Sequence, residues 1–325
     1  MKVLKNAVQA VLVVVLATLA GAAAAQQDFP NRAIRIITPY PPGGGTSPLA
    51  RLYSQKLTDS WGQPVIVDNR GGGNTVIGTD AVAKSAPDGY TVLLTLNTHV
   101  VLPLLLPTPY DGIKDFAPVA SVSSGEQLMV VPVSVPANSL QEFIALAKSR
   151  PGQLNYASAG GGTINHLSGE SFKLLAGVNI QHIPYKGGGP AITDLIAGRV
   201  QMYSAVPISL IPHIQSGKIK PIAISGDKRM PSMPEVPTFT EAGLPGFDAR
   251  ASYWILAPAG TPKAIVDKLS AEFAKITAMP DTQKNLAGLG MEPFVSNADQ
   301  LAALMKADVV RYAKIIKAAN ITIEN

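Results

Sequence analysis

A two-domain α/β fold, each domain a mostly parallel sheet flanked by helices with a hinge between, is the architecture this sequence predicts. Three observations predict it. Strand and helix signals alternate almost throughout, the pattern of parallel α/β units. A glycine-rich strand-to-helix turn stands in each half, at Tyr40-Pro41-Pro42-Gly43-Gly44-Gly45-Thr46-Ser47 and at Ser158-Ala159-Gly160-Gly161-Gly162-Thr163. A late strand and two long helices follow a complete middle unit, so the chain is expected to return to its first domain. The expected boundaries are 26–124 with 251–325 for the first, discontinuous domain and 125–250 for the second. The two crossovers place the hinge near Val122 to Glu126 and Asp248 to Tyr253.

The first element is not part of the fold. Lys2 and Lys5, the uncharged run Ala7 to Ala20 and Ala23-Ala24-Ala25 have the order of a cleavable export signal over 1–25. No cysteine follows the apolar run, which excludes a lipoprotein anchor, and nothing after Gln26 reads as a membrane span. About 300 residues then remain, enough for two well-buried α/β cores. With Cys 0 the chain suits an oxidising compartment but has no disulfide to hold it. Without Lys2 and Lys5, 25 basic residues face 22 acidic ones, a balance of +3. That excess is too small and dispersed for nucleic acid, and favours an anionic small molecule.

In chain order, Ile34 to Thr38 reads as a buried strand entering the first glycine turn. Leu49, Leu52, Tyr53, Leu57 and Trp61 recur at helical spacing, and Gly62 ends that helix. Val65-Ile66-Val67 reads as a short buried strand, Gly71-Gly72-Gly73-Asn74 opens a helix to about Ser85, and Tyr90 to Leu96 is the next strand. Asn97-Thr98-His99 lies past its carboxyl end, where open α/β sheets place ligands. Val119 to Val122 and Gln127 to Val131 are strands. Ser139 with Glu142 forms a capping box, and Pro151-Gly152 ends the helix it starts. The second glycine turn, a helix over Thr163 to Ala176, a strand to Pro184 and a further glycine turn, Tyr185-Lys186-Gly187-Gly188-Gly189-Pro190, follow. A helix over Ala191 to Ala197 and strands at Val200 to Val206 and Lys220 to Ile224 complete the middle unit. Asp227 to Leu244 reads as a long ordered loop. Tyr253 to Leu256 is the late strand, Thr261 caps a helix beginning at Pro262, and the last helix spans Ala298 to Ala319.

The glycine turns carry the functional signal. Uncovered backbone that is free to take φ > 0 lets several N–H groups converge on one anion, and each following helix adds its free N–H groups and positive dipole end. Two such loops facing each other make a carboxylate site. His166, in the first turn of the second helix, can donate to a ligand or pack against its loop. Tyr40 and Tyr185 adjoin glycine turns at strand ends. Enzyme signatures are absent: no G-x-S-x-G, Walker A or G-x-G-x-x-G occurs, and Ser225-Gly226-Asp227-Lys228 lacks the partner motifs of an S-x-x-K enzyme. His99, His166, His182 and His213 have no metal-binding spacing.

Six ordered stretches then identify a resemblance. They are Pro39 to Gly44, Ala86 to Leu94, Tyr110 to Val119, His182 to Ala191, Val236 to Phe247 and Leu256 to Pro262. With them the chain resembles the Bug-type substrate-binding proteins of tripartite tricarboxylate transporters. The resemblance implies a type II-like periplasmic-binding-protein fold that closes on a small carboxylate, a di- or tricarboxylate or an aromatic one. Backbone N–H groups of the two loops, helped by ordered water, would hold it, which by position means Pro41 to Ser47 and Ser158 to Thr163, with His166 following. It also implies a periplasmic, monomeric, non-catalytic receptor without cofactor or metal, serving inner-membrane permease subunits. A ligand sensor, or an enzyme on the same scaffold, would use the same closure. Many relatives carry an acidic residue where Ser47 stands, and an Asp where Ser204 stands. Losing both argues against a ligand with an ammonium group. Tyr40, Tyr203 and Val206 would accept an aromatic or long aliphatic diacid.

Overall fold

The computed structural model describes residues 29–43 and 45–323. The export signal and Gly44 lie outside the described residues. Two sheets organise the chain. The first is six-stranded and holds β1 (Ile34–Thr38), β2 (Val65–Asn69), β3 (Thr91–Leu96), β4 (Phe116–Gly125), β10 (Ala251–Pro258) and β11 (Glu292–Ser296), in the order β11-β4-β10-β3-β1-β2. The second is five-stranded, with β5 (Leu128–Pro132), β6 (Asn155–Ser158), β7 (Gln181–Pro184), β8 (Met202–Ala205) and β9 (Ile219–Ile224) in the order β7-β6-β8-β5-β9.

The sheets are mixed rather than mostly parallel. β1 pairs in parallel with β2 and β3, and β6 with β7 and β8. β10 runs antiparallel between β3 and β4, β11 antiparallel to β4, and β5 antiparallel to β8 and β9. The reason is the crossover itself. β4 leaves the first sheet and continues into β5 across only Glu126 and Gln127, and β10 comes back beside β4 in the opposite direction. β2 is an edge strand, so Ile66 is exposed and only Val65 is buried, against the expectation of a buried strand.

Helices cover the sheets: α1 (Thr46–Trp61), α2 (Val76–Ala83), α3 (Leu102–Leu105), α4 (Leu140–Ser149), α5 (Ile164–Ala176), α6 (Gly188–Ile196), α7 (Ile211–Gln215), α8 (Lys263–Ala278), α9 (Pro280–Gly288) and α10 (Ala298–Ala319). In α1 the apolar spacing buries Leu49, Tyr53 and Leu57, and Gly62 closes the helix at φ 65°. Ser139 caps α4 by accepting from the Glu142 N–H, while the Glu142 carboxylate takes the N–H of Asn138, one residue before the position a capping box requires. Thr261 does not cap α8. Its hydroxyl donates to the Pro258 carbonyl at 2.7 Å, and Pro262 occupies the cap position. α9 and β11 had no sequence counterpart.

Both faces of each sheet are buried. Ile34 and Ile36 enter one apolar cluster with Leu49, Tyr53 and Phe273, and Ile37 enters another with Trp254, Leu256 and Tyr312. The second sheet divides in the same way between Met129, Phe143 and Phe172 and Leu128, Ala191 and Tyr203. Ile164 and Val206, from segments flanking the second sheet, belong to the first sheet's cluster, and Leu167 of α5 joins Trp254 and Tyr312. The two halves therefore share apolar core. At the crossovers Arg250 pairs with Glu126 at 2.9 Å and with Glu292 at 3.0 Å, and Arg311 pairs with Asp248 at 2.8 Å.

Candidate functional site

A cavity of about 60 Å³ lies between the ends of the two sheets. Three glycine-bearing helix starts border it: Gly45 and Thr46 at α1, Ile164 and Asn165 at α5, and Gly187 and Gly188 at α6. None of the three N-cap residues, Gly45, Thr163 and Gly187, makes a side-chain cap hydrogen bond. The first-turn N–H groups that such caps would satisfy therefore have no capping side chain, and the positive ends of three helix dipoles lie behind them.

The remaining lining is neutral. Tyr40 and Pro41 come from the first loop, Leu96 from the end of β3, Tyr203 and Ala205 from β8, Val206 and Ser209 from beyond it, and Gln127 and Tyr253 from the crossovers. Among the described residues no charged side chain lines the cavity. Burial raises the tyrosine pKa values: Tyr40 is pushed up to about 12, its hydroxyl lying against Thr95 and Thr98, and Tyr203 and Tyr253 are also raised. All three stay neutral donors. Thr46 Oγ1 and both amide atoms of Gln127 are buried without a hydrogen-bond partner among the described residues.

The glycines fit because neighbouring side chains pack directly against their backbone. Gly187 has φ 111°, and a Cβ on it would lie 2.4 Å from Pro41 Cγ of the opposite half. A Cβ on Gly45 would lie 2.7 Å from Val206 Cγ2 and 3.1 Å from the Tyr253 hydroxyl.

The expected site residues divide into two groups. Tyr40, Pro41, Gly45, Thr46 and Ala159 line the cavity. Pro42 and Gly43 are exposed beside it. The second glycine loop, apart from Ala159, is turned inward. Ser158 Oγ sits 2.6 Å from His182 Nε2 and accepts from the Gly160 N–H at 3.1 Å. The Gly162 N–H donates to His166 Nδ1 at 3.1 Å, and the Thr163 hydroxyl donates to the Gly160 carbonyl at 2.7 Å. A Cβ on Gly161 would lie 2.6 Å from Ile323 Cγ2, so the chain's end covers this loop. His166 stacks on His182 with ring centres 3.9 Å apart, and desolvation lowers their pKa values to about 4 and about 3. His166 is the loop's acceptor, the second of its two sequence readings.

Four other residues point elsewhere. Asn97 Nδ2 donates to the Tyr312 hydroxyl at 2.7 Å and the Arg250 carbonyl at 3.2 Å. The Tyr185 hydroxyl donates to Asp194 at 2.8 Å. Ser47 Oγ accepts from Asn69 Nδ2 at 3.2 Å. Strand alternation sets Ser204 on the face opposite Tyr203 and Ala205, and only its carbonyl is near the cavity wall, accepting from Asn165 Nδ2 at 2.6 Å. Neither serine borders the cavity, so the case against an ammonium ligand rests instead on the absence of any acidic side chain in its lining. Sequence reading missed Asn165, Gly187, Gly188, Gln127 and Tyr253. The third glycine turn was visible, and Gln127 heads the apolar run Leu128 to Val131, a signal for a buried polar residue with a task. No group of three or more His, Cys, Asp or Glu side chains among the described residues could hold a metal ion.

The chain is similar to proteins of one receptor family. Residues 49–321 match the TctC family, described as tripartite tricarboxylate transporter family receptor, a span that begins just after the first glycine loop. Protein BugT of Bordetella pertussis is 36% identical over 95% of this chain and 96% of its own length. A Pseudomonas protein from the tcbD-tcbE intergenic region is 38% identical over 89% of this chain and 86% of its own length. Among solved structures, Rpa4515 of R. palustris with adipate superposes with a TM-score of 0.88 at 33% identity, covering 91% of this chain and all (100%) of that one. MatC of Rhodopseudomonas palustris with bound malate gives a TM-score of 0.82 at 32% identity, covering 89% and 100%. The fold is thus that of periplasmic binding proteins, and the chain belongs to the tripartite tricarboxylate transporter family of receptors.

Proposed function

We propose that this receptor captures a small carboxylate in the cavity between its sheets and delivers it, in the periplasm, to the permease subunits of a tripartite tricarboxylate transporter. The observation that carries the reading is the convergence of three uncapped helix starts on a cavity whose described lining has no charged side chain. Neutral N–H and hydroxyl donors stabilise an anion without needing a counter-ion, and buried from water they act at close range. A cation would find no counter-charge there. The adipate and malate carried by two solved relatives support the same reading.

Closure follows from the same arrangement. The first domain, 26–124 with 251–325, supplies the α1 start, and the second, 125–250, supplies the α5 and α6 starts. Only the closed form gathers all three around one anion, so ligand shifts the population towards it. A thermal-shift series over mono-, di- and tricarboxylates, set against amines and neutral sugars, tests the proposal. A carboxylate at one hundred times its Kd adds about 2.7 kcal/mol of stability. Stabilisation by amines or sugars with none by any carboxylate would overturn it.

A further inference from the structure

Gln127 is wholly buried, lines the cavity, and lies in the two-residue link between β4 and β5. Its backbone is fully engaged: the N–H donates to Ser225 Oγ at 2.8 Å and the carbonyl accepts from the Ser225 N–H at 2.9 Å. Its side chain is not engaged. Neither Nε2 nor Oε1 has a hydrogen-bond partner among the described residues, an arrangement that native structures rarely keep without a reason. Exchanging the two amide atoms leaves the observation unchanged, since both are unpaired.

A carboxamide offers a donor and an acceptor side by side. An ionised carboxylate only accepts, so it would satisfy Nε2 and face Oε1 with like partial charge. A hydroxyl or a carboxamide on the ligand satisfies both atoms. No charged side chain among the described residues lines the cavity to balance a second ionised group. We propose that Gln127 reads a neutral donor–acceptor group, a hydroxyl or a carboxamide, on the bound carboxylate. This rests on the carboxylate reading above and adds the ligand's second feature. The first-turn amides take the carboxylate, and Gln127 takes the neutral group at the hinge link.

Calorimetric binding to the full mature chain tests it with matched pairs: succinate against malate and against its monoamide, butyrate against each hydroxybutyrate, and benzoate against the ortho, meta and para hydroxybenzoates. At least one hydroxylated or amidated acid is expected to bind about tenfold or more tightly than its parent. In Gln127→Met, which keeps the length and removes both polar atoms, that ratio should fall to within about twofold. Damage to the fold alone would weaken both members of a pair and keep their ratio. Parents that bind as well as their derivatives, or a ratio unchanged in Gln127→Met, would overturn the assignment while leaving the carboxylate reading standing. If none of these acids binds, the assignment falls, and the carboxylate reading is decided by the wider thermal-shift series. Should the variant not fold, the wild-type ratios decide alone.

Discussion

The two glycine loops read alike in the sequence and do different work. In the first, Gly45 and Thr46 border the cavity, and the Thr46 hydroxyl has no partner among the described residues. In the second, Ser158 and His166 take the N–H groups of Gly160 and Gly162, and Ile323 packs on Gly161. A glycine run marks a place where something approaches the backbone closely. What approaches depends on whether neighbouring side chains already satisfy its N–H groups. Gly187 and Gly188 at α6 and the first turn of α5 border the cavity in its place.

The sharpest way to break this contrast is to crowd each loop. Gly45→Val sets a branched side chain against Val206 and Tyr253, where the two halves close, and carboxylate affinity should fall about hundredfold or more. Gly161→Ala presses on the Ile323 side chain, whose Cγ2 would lie 2.6 Å from the new Cβ, so it should cost about 1–3 kcal/mol of stability and leave affinity within about threefold. Calorimetric titration with denaturant melts measures both. Equal losses of affinity would erase the distinction.

Acid offers a second, smaller contrast. His166 and His182 have folded pKa values lowered to about 4 and about 3 from 6.5, first because burial disfavours the charged ring. The unfolded chain then binds more protons than the native one between pH 6.5 and those values, so stability is full above pH 6.5 and declines as pH falls below it. Protonating His166 also removes the acceptor of the Gly162 N–H. Glu170 and Lys173 act on the pair as well, with opposite signs at His166. Urea melts from pH 7 to 5 should show a loss on the order of 2 kcal/mol for each of these imidazoles. The double variant His166→Gln, His182→Gln should flatten most of the slope and leave the share of His99, whose pKa is likewise lowered to about 4. An unchanged slope would remove the pair from the account.

The smallest expected effect is at Ser204. It lies on the face of β8 opposite Tyr203 and Ala205, away from the cavity, so Ser204→Ala should change affinity by less than about threefold. A larger loss would return it to the site, together with the reading that its replacement of an acidic residue sets ligand choice.

Much of the fold was legible because its signals are local. The spacing of Leu49, Tyr53 and Leu57 and the Ser139 cap need no tertiary knowledge. α9 and β11 were not, since Pro280, Gly288 and Pro293 read as loop residues and β11 is an exposed edge strand. The mixed pairing of the sheets was hidden for another reason: periodicity places a strand but not its direction. At the site, the first loop was legible from its glycines, whereas Tyr253 in β10 and Gln127 in the β4–β5 link are single residues, brought together only by the crossovers. Ser204 falls outside the cavity lining because the face of a strand residue is fixed by its neighbours across the sheet, and Ser47 because α1 turns it towards Asn69, neither of which sequence spacing reveals.

The most direct measurement of the central claim is an amide NMR titration of isotope-labelled protein with the carboxylate that stabilises it most. Hydrogen bonds to an entering anion shift the N–H protons that make them. The account predicts large downfield shifts at amides of the three uncapped helix starts, Thr46, Asn165 and Gly188 among them, with Gly160 and Gly162 nearly unmoved. Large shifts at Gly160 and Gly162 with Thr46 and Gly188 unmoved would contradict it, and would return the ligand to the second glycine loop.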